Sequence, residues 1–401
     1  MPLAAENNFS MANLAGRVEH IAPFHVMELI KMAALLEQQG KSIIHMGIGE
    51  PDFTAAPAVV AAATRAMSDG KMQYTSAVGL PALREAISAH YLQVYGLQID
   101  PARIIVTAGA SAALLLACAA LVEPGTKVLM PDPSYPCNRH FVAAFDGEAT
   151  MIPCGPDQRF QLSDTAVRNH WDSATRGVLL ASPSNPTGTS IPEDELRRIV
   201  ATVREKQGYT IVDEIYQGLT YDQAPFSALS LGDDIVVINS FSKYFNMTGW
   251  RLGWLVVPPE LVPHIEKLAQ NLFICASTIS QHAALGCFEV ASIALYEERK
   301  AEFRRRRDYI VPALRELGFT VPVVPDGAFY VYADCSALSD DADQLTIDML
   351  NETGVVLVPG LDFGPSTARR YIRVSYATSM ENLEEAVRRL QRFFEGRRRI
   401  V

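Results

Sequence analysis

Cysteine is scarce in this chain and shows no pairing pattern. The six in 401 residues, Cys118, Cys137, Cys154, Cys275, Cys287 and Cys335, include no C-x-x-C and no metal-like spacing with histidine. That excludes a disulfide framework and a zinc module, and predicts a reduced, cytoplasmic setting. Basic sequence is scarce too: net charge is 35 − 45 = −10. The clusters Arg304 to Arg307 and Arg397 to Arg399 are short, so solvated helix faces are expected rather than a nucleic-acid surface. Charges interrupt every apolar run before membrane-spanning length, and no amino-terminal stretch pairs a basic region with an apolar core. A soluble, untargeted protein is expected. No fixed-period repeat or low-complexity linker divides the chain, so element order alone must place the domains.

At 401 residues, 49% hydrophobic, the chain has material for roughly two cores. Val26, Leu29, Ile30, Ala33 and Leu36 recur at helical spacing and Gly40 ends the run, ahead of a strand-like piece at Ser42 to Met46. RIIVTAG from Arg103 reads as a strand ending in a glycine turn. ASAALLLACAALV after it is a helix so uniformly apolar that it must be buried. Short apolar runs recur at Lys127 to Met130, Gly177 to Ala181, Tyr209 to Val212, Ile235 to Ile238 and Leu252 to Val257. Between two of them Ser190, Pro192 and Glu193 form a capping-box-like opening, with Leu196, Ile199, Val200 and Val203 on one face. This is the rhythm of a wound α/β sheet. Beyond about Ser292 come a long charged helix, strands near Ala328 to Tyr332 and Tyr371 to Val374, and a closing helix from Met380, the pattern of a smaller α+β domain.

The segment with most chemistry is SFSKYFNMTGWRLGW, Ser240 to Trp254. DIVVIN before it is a strand, so Ser240 to Lys243 should sit where that strand leaves the sheet, which is where α/β proteins place their sites. A lysine amine attacks a carbonyl only when partly unprotonated, and burial beside positive charge lowers its pKa enough. Thr248 and Gly249 punctuate a turn that brings Arg251 back toward Lys243, both as that charge and as a phosphate anchor. Ser240 and Ser242 add hydroxyl donors. A lone lysine is more often simply solvated; the surrounding pattern argues otherwise.

This segment resembles the lysine signature of class I and II pyridoxal-phosphate-dependent aminotransferases, S-x-S-K followed by G-W-R-L-G. Motifs from MGIGEPDF (Met46 to Phe53) through YIRVSYA (Tyr371 to Ala377) match in order, so the resemblance spans nearly the whole chain. It implies fold type I of the aspartate aminotransferase superfamily: a large domain with a mostly parallel sheet flanked by helices, plus a smaller α+β domain. The expected partition is an amino-terminal segment 1–47 packing with the small domain, a large domain 48–291 and a small domain 292–401. The active site is expected at a homodimer interface.

The resemblance also implies roles for individual residues. Lys243 would be the Schiff-base lysine and proton shuttle. Ala110 and Ser111 in TAGAS would give amide donors to the cofactor phosphate at a helix start, with Ser240 and Arg251 giving side-chain donors. Tyr74 would reach the phosphate of the neighbouring subunit. Tyr135 in DPSYP would stack on the ring, Asp213 in VDEIY would pair with the ring nitrogen, and Tyr216 and Asn185 would donate to the phenolic oxygen. Arg373, with Gly49 and Asn185, would hold the substrate carboxylate through paired hydrogen bonds. The implied reaction is ping-pong amino transfer between an L-amino acid and a 2-oxo acid.

Aspartate-specific relatives place a small hydroxylated triplet and a lysine around the distal carboxylate. Here Phe24, His25 and Val26 align with the triplet and Ser111 with the lysine. The missing polar anchors point to a neutral or aromatic donor, with glutamate and 2-oxoglutarate as a partner pair if another group serves; a lone His25 is more often a packing residue than a ligand. A carbon–sulfur β-lyase and a non-catalytic amino-acid-sensing module remain the alternatives.

Overall fold

The computed structural model describes residues 15–398. The first part of the expected segment 1–47, and Arg399 of the second basic cluster, lie outside the described residues. In chain order the elements begin with α1 (Arg17–His20), α2 (His25–Gln38), β1 (Ile44–His45), α3 (Pro57–Ser68) and α4 (Pro81–Tyr95). β2 (Ile104–Thr107), α5 (Gly109–Leu121), β3 (Lys127–Asp132), α6 (Pro136–Ala144) and β4 (Glu148–Pro153) follow. Next are α7 (Asp164–His170), β5 (Thr175–Ala181), α8 (Glu193–Glu205), β6 (Tyr209–Asp213), β7 (Val236–Ser240) and β8 (Gly253–Val256). The remainder is α9 (Val262–Leu272), α10 (Thr278–Ala284), α11 (Val290–Leu317), β9 (Tyr330–Asp334), α12 (Ala342–Thr353), β10 (Val355–Val356), β11 (Val358–Pro359), β12 (Tyr371–Ser375) and α13 (Met380–Arg398).

A seven-stranded sheet runs in the order β2-β8-β7-β6-β5-β3-β4. β8 pairs antiparallel with both β2 and β7, while β3 to β7 pair parallel among themselves. Six strands therefore point one way and β8 runs against them. Their apolar runs are continuous because both faces are covered. Val178, Leu180, Val212 and Val237 enter one core, and Leu179, Ile211, Val236 and Ile238 the other. Period-two alternation thus feeds two cores rather than one core and solvent. α5 lies in the second core through Ala113, Leu114, Leu116 and Ala117. Each of its leucines contributes about 2 kcal/mol by leaving water.

Among the described residues a three-stranded antiparallel sheet, β11-β12-β9, and the parallel pair β1-β10 make up the remaining sheet structure. β1 precedes the large sheet in sequence yet pairs with a strand beyond it, Ile44 opposite Val355. α2 packs on the same elements through Leu29 and Ala33 against Leu350 and Val356.

Two sequence expectations need correction. The opening of α8 is not a capping box: Pro192 stands at the N-cap without a side-chain bond, and Ser190 Oγ is buried without a partner. Glu193, Asp194 and Glu195 in the first turn complement the helix dipole instead. The cluster Arg304 to Arg307 is not a uniformly solvated face either. Arg306 and Arg307 are 4% and 7% exposed, because at helical spacing a run of four residues must wrap onto the buried side. Arg307 donates to Asp222 and to the Pro325 carbonyl. Arg306 donates to Asp52 at 2.8 Å and Glu302 at 3.0 Å, with its guanidinium 5.1 Å from the Phe53 ring centroid. All six cysteines are free, and no helix among the described residues is long and apolar enough to cross a membrane.

Arg306 therefore ties α11 to the loop at Asp52. Arg306→Ala strands the partly buried Asp52 carboxylate, while Glu302 keeps Arg305, and should cost about 2 kcal/mol of stability, read as a lower urea midpoint. An unchanged midpoint would mean that the pair is screened and idle.

Candidate active site

The parallel strands deliver their carboxyl ends to one edge of the sheet, and so does the start of reversed β8. β2 leads to Gly109–Ser111, β3 to Tyr135, β5 to Asn185, and β6 ends on Asp213. β7 ends on Ser240, three residues before Lys243, and Arg251 stands two residues before β8. A single strand reversal thus puts Lys243 and Arg251 at the same edge. From the small sheet, β9 contributes Tyr330 and β12 contributes Arg373. Together with Gly49 and Tyr216 these residues line one cavity of about 290 Å³.

The turn after β7 is built by its small residues. Ser242 N–H donates to Ser240 Oγ at 3.0 Å, Ser240 Oγ to the Leu252 carbonyl at 3.1 Å, and Thr248 Oγ1 to the Ser242 carbonyl at 3.0 Å. Arg251 takes the left-handed conformation, φ 51°, at a cost of about 1 kcal/mol for a residue with a Cβ. It turns its guanidinium over Gly109, whose φ is +81° and whose added Cβ would meet Arg251 Nη2 at 2.8 Å. The amino end of α5, with Ala110 and Ser111, and the Arg251 guanidinium face the same space. Positive dipole, backbone amides and a guanidinium form a cradle that fits a phosphate.

Lys243 Nζ donates to the Gly49 carbonyl at 2.7 Å. Burial lowers its pKa to about 8, with Arg251 and Arg373 adding to the shift and Glu50 and Asp213 opposing it. Burial pushes the Asp213 carboxyl up to about 6, despite the Ile215 amide and Lys243. A carboxylate held so far from solvent fits a cationic partner such as a protonated ring nitrogen. Arg373 is 2% exposed and its hydrogen bonds go to uncharged acceptors, the Asn185 Oδ1 at 2.8 Å and the Gly47 carbonyl at 2.6 Å. Its Nε is buried without a partner. A buried guanidinium on neutral partners is a standing demand for an anion.

Tyr135 lines the cavity with Phe24 packed edge-on at 6.4 Å. One expected residue is not in this set: Tyr74 is 79% exposed and away from the cavity. His25 is exposed and does not line it either. Tyr330 is the residue that sequence reasoning missed. Its hydroxyl shares a hydrogen bond with Tyr216 Oη at 2.9 Å and its ring lies 4.6 Å from the Arg373 guanidinium. Gly49 has to be glycine for the same reason, since a Cβ there would sit 2.5 Å from Tyr330 Oη. In GAFYVY nothing but the alternation of the strand marks Tyr330 as inward-facing.

A buried lysine of lowered pKa, a phosphate cradle and an anion-seeking arginine in one cavity define a site for a phosphate-bearing aldehyde cofactor and a carboxylate substrate. The comparisons agree. The family model for aminotransferase class I and II matches residues 41–390. A valine–pyruvate aminotransferase of Mycobacterium tuberculosis is 38% identical over 92% of this chain and 96% of its own length. An aspartate/prephenate aminotransferase of Thermus thermophilus is 33% identical over 95% and 99%. Among solved structures, an aminotransferase from Mycobacterium tuberculosis superposes with a TM-score of 0.92 at 37% identity, covering 96% of this chain and 99% of that one. The chain belongs to the class I and II aminotransferases, enzymes that depend on pyridoxal phosphate and act on amino acids and 2-oxo acids.

The raised Asp213 carboxyl bears on stability. With its folded value near 6 against an ordinary 3.8, it favours the fold most below 3.8 and loses that contribution as pH rises through about 6, on the order of 3 kcal/mol. In protein stripped of cofactor, Asp213→Asn should therefore raise the melting temperature at neutral pH, the gain shrinking as the medium is acidified toward 3.8. A lower melting temperature for the variant at neutral pH would contradict the assignment.

Proposed function

We propose that this aminotransferase takes its amino group from a neutral L-amino acid with an apolar, aliphatic or aromatic, side chain and passes it to a 2-oxo acid in two half-reactions at one site. Glutamate and 2-oxoglutarate are the partner pair on the other side only if a group other than the residue at Ser111 receives their distal carboxylate. The observation that carries this reading is the apolar part of the lining of the cavity that holds Arg373: Phe24, Met27, Ile30, Ile48 and Leu114. At Ser111, where the aspartate-specific relatives have a lysine, no cation stands. An acidic side chain in that space would be desolvated without a partner, whereas an apolar one gains about 25 cal/mol per Å² buried. The name of the valine–pyruvate relative supports the same choice.

In this reading Arg373 clamps the donor carboxylate, with Asn185 and the Gly49 backbone beside it. Pyridoxal phosphate, when bound, supplies an aldehyde that bonds amines and a ring that takes up the electron pair released at the donor α-carbon. Ala110, Ser111, Ser240 and Arg251 would hold its phosphate, Tyr135 its face, Asp213 its ring nitrogen, and Tyr216 and Asn185 its phenolic oxygen. Lys243, with an amine near 8, is neutral in a usable fraction at working pH and moves the proton to and from the α-carbon. Tyr74, exposed on its own chain, would complete the phosphate site of the neighbouring subunit in a homodimer. The partition 1–47, 48–291 and 292–401 belongs to the same proposal, and the β1-β10 pairing supports its first boundary.

Holoprotein mixed with single amino acids, and followed by the bound-cofactor absorbance, tests the donor. Valine or phenylalanine should exceed aspartate in kcat/KM by about tenfold or more, a difference of about 1.4 kcal/mol. Aspartate reacting as well as valine would refute the apolar-donor reading, and release of pyruvate and ammonia from a cysteine conjugate without amino transfer would point to a β-lyase.

A further inference from the structure

Helix α2 and its N-cap residue carry three of the five wall residues, yet the helix lacks a cap of its own: Phe24, at the N-cap position, offers no side-chain acceptor to the first-turn amides. The acceptor arrives from far along the chain. Asp362 Oδ1 takes the His25 N–H at 2.8 Å and Oδ2 takes the Val26 N–H at 2.8 Å, so both carboxylate oxygens are spent on the start of this one helix. Asp362 is 2% exposed, and its own carbonyl is held by Arg139 Nη2 at 3.1 Å. The next residue, Phe363, has its ring centroid 4.9 Å from the Arg373 guanidinium. One turn of chain therefore grips the amino end of α2 on one side and supports the carboxylate-seeking arginine on the other.

We propose that Asp362 is a positioning residue for donor selectivity, capping α2 across the chain so that Phe24, Met27 and Ile30 stand at a fixed distance from Arg373. The proposal rests on the apolar-donor reading. The physical case is that two charge-assisted bonds to a helix terminus fix both the position and the direction of the helix axis, since each oxygen addresses a different amide. Phe24 then meets Tyr135 edge-on, and Val26 and Ile30 pack with Tyr332, Val358 and Phe363. With the cap removed, the first turn of α2 has unsatisfied amides and frays, and the wall retreats while Arg373, on strand β12, stays where it is.

The test is equilibrium binding of 3-phenylpropionate and of propionate to the holoprotein. Both carry the carboxylate, neither has an amine to react, and only the first reaches the wall. Asp362→Ala should weaken 3-phenylpropionate about tenfold and propionate less than about twofold, and should speed amide exchange across residues 24–30. Asp362→Asn keeps one acceptor oxygen and should lie between, at about threefold; if the alanine variant does not fold, this ratio decides. Equal weakening of both ligands, or a wild-type ratio retained in both variants, overturns the role of Asp362 alone. A wild-type protein that binds both ligands equally overturns the apolar-donor reading and this proposal with it.

Discussion

Everything at this site depends on keeping charged groups in a place that water would otherwise claim. Lys243, Asp213 and Arg373 line one cavity, and none of the three has a conventional ion-pair partner that would quiet it. Arg373 rests on an amide oxygen and a carbonyl, and Lys243 donates to a carbonyl. The Asp213 carboxyl accepts a backbone N–H. Such an arrangement is unfavourable by itself, and the two cores on either side of the sheet have to offset it. What the fold gains, in the proposed reading, is a set of groups whose remaining electrostatic demand a cofactor with an anionic phosphate and a cationic ring, and a substrate carboxylate, would match.

The sheet supplies the geometry that this requires. Parallel strands converge their carboxyl ends by construction, and side chains leaving β2, β3, β5, β6 and β7 meet without long loops. The reversal at β8 is what adds Arg251, since a parallel strand after Lys243 would need a crossover and would carry the arginine to the opposite edge. The small antiparallel sheet then closes the cavity with Tyr330 and Arg373, and α2 closes it from the amino-terminal side.

Much of this was legible in the sequence, for physical reasons that differ by element. Strands β5, β6 and β7 announced themselves because both their faces are buried and their apolar runs are unbroken. β4 (EATMIP) was missed because it is an edge strand with mostly half-exposed residues, and β10 and β11 because two residues carry no periodicity. Lys243, Asp213 and Arg373 could be named because each sits in a short motif with a chemical logic. Tyr330 could not, since an inward-facing tyrosine on a buried strand reads the same whether it fills space or backs an arginine. Arg306 and Arg307 were misread because a run of like charges suggests solvent, while the 3.6-residue period forces some of it inward. Asp362 is the extreme case: its partners are more than three hundred residues away, and no local pattern encodes that.

Lys243, as the amine that would engage the cofactor aldehyde, is the residue on which every other proposed role at this site depends. Reducing the cofactor-loaded protein with borohydride, digesting it and mapping the phosphopyridoxyl mass by peptide mass spectrometry tests this directly. The predicted result is a single modified peptide with the label on Lys243. A label on any other lysine, or stoichiometric cofactor binding with no label at all, would contradict it.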